Sequence, residues 1–86
     1  MPTNVPDNLE EELRNIIAFV IEIEPEKVTP DARFVEDLGM DSIKAVELVV
    51  AIEQKFKIKI RDEEVPRIGT LRQAVGLSKR IIGNNK

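Results

Sequence analysis

Phe34-Val35-Glu36-Asp37-Leu38-Gly39-Met40-Asp41-Ser42-Ile43 decides how this chain reads. A glycine-containing turn runs directly into an amphipathic segment, Ser42 to about Phe56. Gly39 permits a turn geometry that other residues resist. Asp41 has the chemistry of a helix cap. Ser42 then falls in the first turn, at the positive end of the helix dipole. An attached phosphate is favoured there by about 0.3–1 kcal/mol. Acids stand on both sides: Glu36, Asp37 and Asp41 before it, Glu47 after. A lone hydroxyl so placed suggests an attachment point on a scaffold rather than a cleft.

The segment from Ser42 has more apolar surface than one buried stripe requires. Ala45, Leu48, Val49, Ile52 and Phe56 form one face. Ile43, Val46 and Val50 form a second; one of the two faces is expected to stay exposed as a contact surface, unless a tight bundle buries both. Upstream, Leu9, Leu13, Ile16, Ile17, Val20 and Ile21 make a helical stripe over Asp7 to about Ile21. Asp7 is its expected cap, and Pro25 ends the pattern. Residues 22–40 form a long connection with turn signals at Pro25 and Thr29-Pro30-Asp31, pinned by Phe34, Val35 and Leu38.

Downstream, Lys57-Ile58-Lys59-Ile60-Arg61 alternates like a strand but has no partner, so an extended loop is expected. A short helical turn is expected at Asp62 to Arg67. Thr70-Leu71-Arg72-Gln73 has the form of a capping box. It opens a last helix with Leu71, Ala74, Val75, Ser78, Ile81 and Ile82 inward and Gly83 as its C-terminal cap. The fold class is therefore all-α. It is a small four-helix bundle of three main helices and one short one, with a long loop between the first two. Residues 1–86 are expected to be one domain, with 1–4 and 84–86 frayed.

Composition narrows the function. There is no cysteine and no histidine among the 86 residues. Disulfides and thiolate metal sites are excluded, and the usual general base is missing. Self-sufficient catalysis is a poor fit. Residues 1–53 hold four Lys/Arg against thirteen Asp/Glu, and residues 54–86 hold nine against three. The front half repels nucleic acid, and the basic half has only Phe56 for stacking bases. Residues 31–42 lack the alternating oxygen ligands of a calcium loop. No apolar run is long enough to span a bilayer, and the N-terminus lacks a signal-peptide pattern, so a cytoplasmic protein is expected.

The stretch Phe34 to Ile43, continued by Val46-Glu47-Leu48-Val49, resembles the acyl carrier proteins of fatty acid and polyketide synthesis. The likeness extends through Glu53, Phe56, Ile60, Asp62, Glu63, Ile68, Thr70 and Leu71, nearly the whole chain. The resemblance implies that the Ser42 hydroxyl carries 4′-phosphopantetheine as a phosphodiester, installed from coenzyme A by a phosphopantetheinyl transferase that Asp41 helps to recognise. The thiol of that group holds acyl thioesters, and the chain itself does no chemistry. The resemblance also implies basic docking partners for a strip of Ile43, Val46, Glu47, Val50 and Glu53. It implies an acyl pocket beside Phe34, Ile52, Phe56, Ile60 and Ile68, residues that otherwise read as ordinary core. A monomer is expected.

Lys44, two places after the serine, departs from the family pattern, where an acidic or neutral residue is common. Gln54 and Lys55 thin the acidic strip further, and Met40 replaces a residue that is often small. These departures suggest a specialised carrier rather than a housekeeping one. Two other readings stay open: a peptidyl, aminoacyl or D-alanyl carrier, and a helical interaction module without a prosthetic group.

Overall fold

The computed structural model describes residues 8–84, with side chains through Gly83. Three α-helices account for most of it: α1 (Leu9–Ile21), α2 (Ser42–Phe56) and α3 (Leu71–Asn84). Two 3-10 turns stand in the connections, Pro25–Lys27 and Asp62–Arg67. Among the described residues there is no strand: Lys57 makes a left-handed turn, and Ile58 to Arg61 lies outside any helix or strand. The α1 helix packs on both α2 and α3.

The core follows the helical stripes. Leu9, Leu13, Ile17 and Val20 of α1 meet Leu48 and Ile52 of α2 and Leu71, Ala74 and Ile82 of α3. Ile16 and Ile21 lie at its edge, half-buried. Each of α1 and α2 ends on a non-glycine residue in the left-handed region, Glu22 (φ 61°) and Lys57 (φ 58°). These turns redirect the chain, so α1 stops before Pro25 is reached. The expected cap Asp7 lies outside the described residues. The N-cap of α1 is Asn8, which makes no side-chain cap bond.

The long connection is pinned by backbone as much as by side chains. Phe34 N–H donates to Gly69 O at 2.8 Å, and Met40 N–H donates to Phe34 O at 2.8 Å. Phe34, Val28 and Met40 are buried, and Leu38 packs at the core margin. Val35 does not act as a pin: it is 63% exposed. The reason is local. Asp37 N–H and Leu38 N–H both donate to Arg33 O, which curls the chain into a helical turn that sends Phe34 inward and its neighbour outward. Gly39 completes the turn at φ 74°. A Cβ there would touch nothing, so the backbone angle and not space selects glycine.

At α3 the Thr70 hydroxyl accepts from Gln73 N–H at 3.1 Å, as a cap should. The reciprocal bond reaches one residue further than expected: Gln73 Oε1 accepts from Gly69 N–H at 2.8 Å. Gly83 is not the C-terminal cap, because α3 continues through it to Asn84. Leu77 is buried while Val75 and Ile81 are half-buried, so the inward stripe is rotated slightly from that expected. Of the termini expected to fray, Asn84 closes α3; residues 1–4, 85 and 86 lie outside the described residues. Two ion pairs secure the lower loops. Arg72 grips Asp31 through two bonds of 2.8 and 3.0 Å, which ties the long connection to α3. Arg80 binds Glu64 at 3.0 Å, which ties the second 3-10 turn to α3.

Candidate functional site

The start of α2 sets the site. Met40 is buried and Asp41 is extended (φ −104°, ψ −179°), so the chain passes from core to surface within two residues. Asp41 Oδ1 accepts from Lys44 N–H at 2.9 Å, and Asp41 O accepts from Ala45 N–H at 2.9 Å. The cap is therefore supplied by Asp41 and not by the neighbouring serine. Ser42 is the first helical residue and is exposed. Its hydroxyl is left for chemistry, beside the N–H groups of the first turn that have no intrahelical acceptor.

The turn before the site is held by charge. Arg33 donates to both oxygens of Asp37, through Nε at 3.2 Å and Nη2 at 3.3 Å, and its backbone N–H donates to Asp37 Oδ2 at 2.8 Å. These bonds keep the Asp37 carboxyl below the usual carboxylate range and raise the Arg33 guanidinium. Asp31 is lowered likewise by its bonds from Arg72.

Beyond Ser42, Ile43, Val46 and Val50 stand out from α2 at 68%, 61% and 43% exposure. Glu47 is exposed among them. Lys44 lies between acids, its Nζ 3.7 Å from Glu47 and 3.9 Å from Glu22 at the end of α1. It draws on the acidic strip and also links two helices. Glu53 is half-buried, and its Oε2 accepts from Ile60 N–H at 2.7 Å. That bond commits Glu53 to holding the segment after α2. Phe34, Ile52 and Ile60 are buried in the core, with Phe56 and Ile68 packed against it. One prominent residue escaped the sequence reading. Phe19 is 84% exposed on α1. The available signal was that it is aromatic and falls off the α1 stripe.

Known proteins match this arrangement along most of its length. The family described as "Phosphopantetheine attachment site" matches residues 11–77. The acyl carrier protein of Akkermansia muciniphila is 40% identical over 77 residues, 90% of this chain and 96% of the relative. That of Buchnera aphidicola subsp. Acyrthosiphon pisum is 43% identical over 68 residues, 79% of this chain and 85% of the relative. The chain belongs to the acyl carrier protein family. It is a non-catalytic carrier, its cofactor is 4′-phosphopantetheine, and its partners include a phosphopantetheinyl transferase and acyl-handling synthases in general. Among the described residues of the carrier, no helix is long and apolar enough to cross a membrane.

The residues present fit that cofactor. The family match spans the exposed serine, and the phosphodiester would lie at the positive end of a fifteen-residue helix. Asp41 is engaged in its cap bond with Lys44 N–H, and Ser42 beside it is exposed.

Proposed function

We propose that 4′-phosphopantetheine is esterified to the Ser42 oxygen, and that the chain delivers acyl thioesters to enzymes of a dedicated fatty acid, polyketide or related pathway in the cytoplasm. The observation that supports this reading best is the exposed serine at the first position of α2, its cap duty already taken by Asp41. The thiol of the bound group supplies the thioester chemistry, and the protein supplies position. Asp41 caps the first turn, the N–H groups of that turn which the cap does not use would favour a phosphate there, and the exposed serine would let the tether leave the bundle.

Docking of partners falls to Ile43, Val46, Glu47 and Val50, where a small apolar patch stands beside a negative charge. Such a surface attracts basic enzymes quickly and releases them quickly. A patch this small suits brief encounters of a single-domain monomer with many partners, which is what a shuttle requires. Lys44 supports a specialised set of partners. Its ion pairs with Glu22 and Glu47 neutralise charge within one turn of the attachment point.

Intact mass measured after co-expression with a broad-specificity phosphopantetheinyl transferase tests the attachment. One phosphopantetheine should be gained, and none by Ser42→Ala. A gain that persists in Ser42→Ala, or no gain in the parent, refutes it. Loading assays with acyl, malonyl and aminoacyl donors then separate an acyl carrier of a dedicated pathway from a peptidyl or D-alanyl one.

A further inference from the structure

The fold gathers basic side chains at the end of the bundle away from Ser42. Lys57 is the C-cap of α2, fifteen residues after the serine and so roughly 22 Å from it by helix rise. A cleft of about 710 Å3 opens there, between the segment after α2, the second 3-10 turn and α3. Lys57, Lys59, Arg61 and Arg80 line it, with a single acid, Glu64, among its described lining residues. Glu64 is taken up by Arg80 at 3.0 Å. Among the described residues, Lys57 and Lys59 make no ion pair, and both are exposed. Positive charge is therefore left uncompensated. Ile58 and Ile81 add apolar wall. Past Glu64 and Arg80 the cleft continues into a second depression of about 420 Å3 beside Arg67, Gly76 and Leu77. Gly76 stands inside α3, where glycine weakens a helix relative to alanine. A Cβ there would touch nothing within 4 Å, so no contact inside the chain calls for glycine. Its missing side chain leaves the groove open to close approach from outside.

We propose that this basic groove is a docking surface distinct from the strip on α2, and that its occupant is an acidic segment of a partner protein in which carboxylates flank apolar side chains. Charge complementarity selects the occupant. Four cations against one acid attract carboxylates, and Ile58 and Ile81 favour an apolar side chain set between them. Other anions fit less well. A nucleic acid would meet thirteen acids in the front half and, in the basic half, one aromatic, the half-buried Phe56. An inorganic anion is far smaller than either depression. A second copy of this chain offers few free acids, since Glu10, Glu12, Asp31 and Asp37 are already paired within it. The groove shares no lining residue with Ile43, Val46, Glu47 and Val50, so both surfaces can be used at once. One protein can hold the basic end while Ser42 faces another. The inference goes beyond the carrier reading and does not require the arm.

The test uses the full chain without its arm and a short dye-labelled peptide of repeating Asp-Glu-Leu. Anisotropy should rise on titration at low salt and fall back as salt is added, the screening length being about 8 Å at physiological ionic strength. Backbone amide NMR shifts should fall on Lys57 to Arg61 and Gly76 to Arg80 and leave Ser42 to Val50 in place. Lys57→Glu combined with Lys59→Glu should weaken binding at least about tenfold. Lys27→Glu, at an exposed cation outside the groove, should not change it. Gly76→Gln places a better helix former in α3, so it should melt at or above the parent and yet bind more weakly. No rise in anisotropy at low salt, shifts confined to α2, or parent-like binding by both groove variants overturns the proposal. Tighter binding of an oligothymidylate, displacement of the peptide by inorganic phosphate alone, or self-association of the chain through the groove overturns it equally. None of these readouts involves the arm, so a failure of the carrier reading is seen separately, by intact mass.

Discussion

Replacing Asp41 and replacing Ser42 should have opposite consequences, although the residues are adjacent. Asp41→Ala removes the carboxylate that accepts from Lys44 N–H at 2.9 Å, the side-chain cap of α2. Losing such a cap costs about 0.5–2 kcal/mol, typically near 1. In a domain of this size about 1 kcal/mol moves the melting midpoint by roughly 4–8 °C. Asp41→Asn retains an oxygen acceptor of equal capping strength and should melt close to the parent. Ser42→Ala removes an exposed hydroxyl that does not supply the cap, so its effect should stay within about 0.5 kcal/mol. Thermal melts of the unloaded proteins by far-ultraviolet circular dichroism give all three values. Intact mass should then show Ser42→Ala unable to accept the arm despite an intact fold. Should Ser42→Ala melt as far below the parent as Asp41→Ala, the serine is structural and the division of labour is wrong. Should Asp41→Asn melt as low as Asp41→Ala, the cap geometry is not what stabilises the turn.

Glu53→Ala strands the partly buried N–H of Ile60 and should cost about 1–3 kcal/mol, whereas Glu53→Gln keeps an acceptor and should be nearly neutral; a stable Glu53→Ala that loses only partner transfer would return Glu53 to the docking strip. Glu47→Lys reverses an exposed charge beside Val46 and Val50. Transfer to a basic partner enzyme should slow, with a flatter dependence on salt, while the melt is unchanged; an unaltered rate places docking on another face. Arg72 holds Asp31 in its charged form, so the folded pKa lies below the unfolded value of about 3.9. The contribution is complete above that value and is lost as pH falls through the lower folded pKa. In acid titrations followed by circular dichroism, Arg72→Gln should remove the Asp31 share of the pH dependence below about pH 4 and leave the Asp37 share; an identical acid profile would show that this pair does not anchor the long connection.

The start of α2 was legible because everything that defines it is local. A capping aspartate, a serine after it and a glycine before it act within a few residues, and helical periodicity gives two apolar faces, of which packing leaves Ile43, Val46 and Val50 exposed. The stripe of α1 was legible for the same reason. Positions decided by distant chain were not. Glu53 looked like a surface acid because its partner, Ile60 N–H, arrives only after the chain has reversed through Lys57 in a left-handed turn. Val28 and Met40 carry no periodic signature, yet both are buried in the core cluster. Phe34 and Val35 are equally apolar, and only the curl onto Arg33 O decides which of them is inside. Phe19 shows the converse: an aromatic residue gains no burial from its type when the helical angle points it away from the stripe.

These positions share a mechanical logic. A tether that many enzymes must reach needs a root that does not move and a surface that does not hold them long. Rigidity comes from the inside: Met40 is anchored in the core, Phe34 is bonded to the loop before α3, and Asp41 closes the helix start. If partners dock where we propose, the outside keeps contact brief, because three aliphatic side chains and one acid offer too little area for a lasting complex. Lys44 stands between the two requirements. Its half-buried stem and paired ammonium join α1 to α2 beneath the attachment point and subtract from the acidic attraction that draws partners in. A pair so exposed adds little to stability, so its greater effect is on which partners the surface attracts. On the reading proposed above, selectivity would arise from the charge of Lys44, two residues after the serine, without any change to the scaffold that presents it.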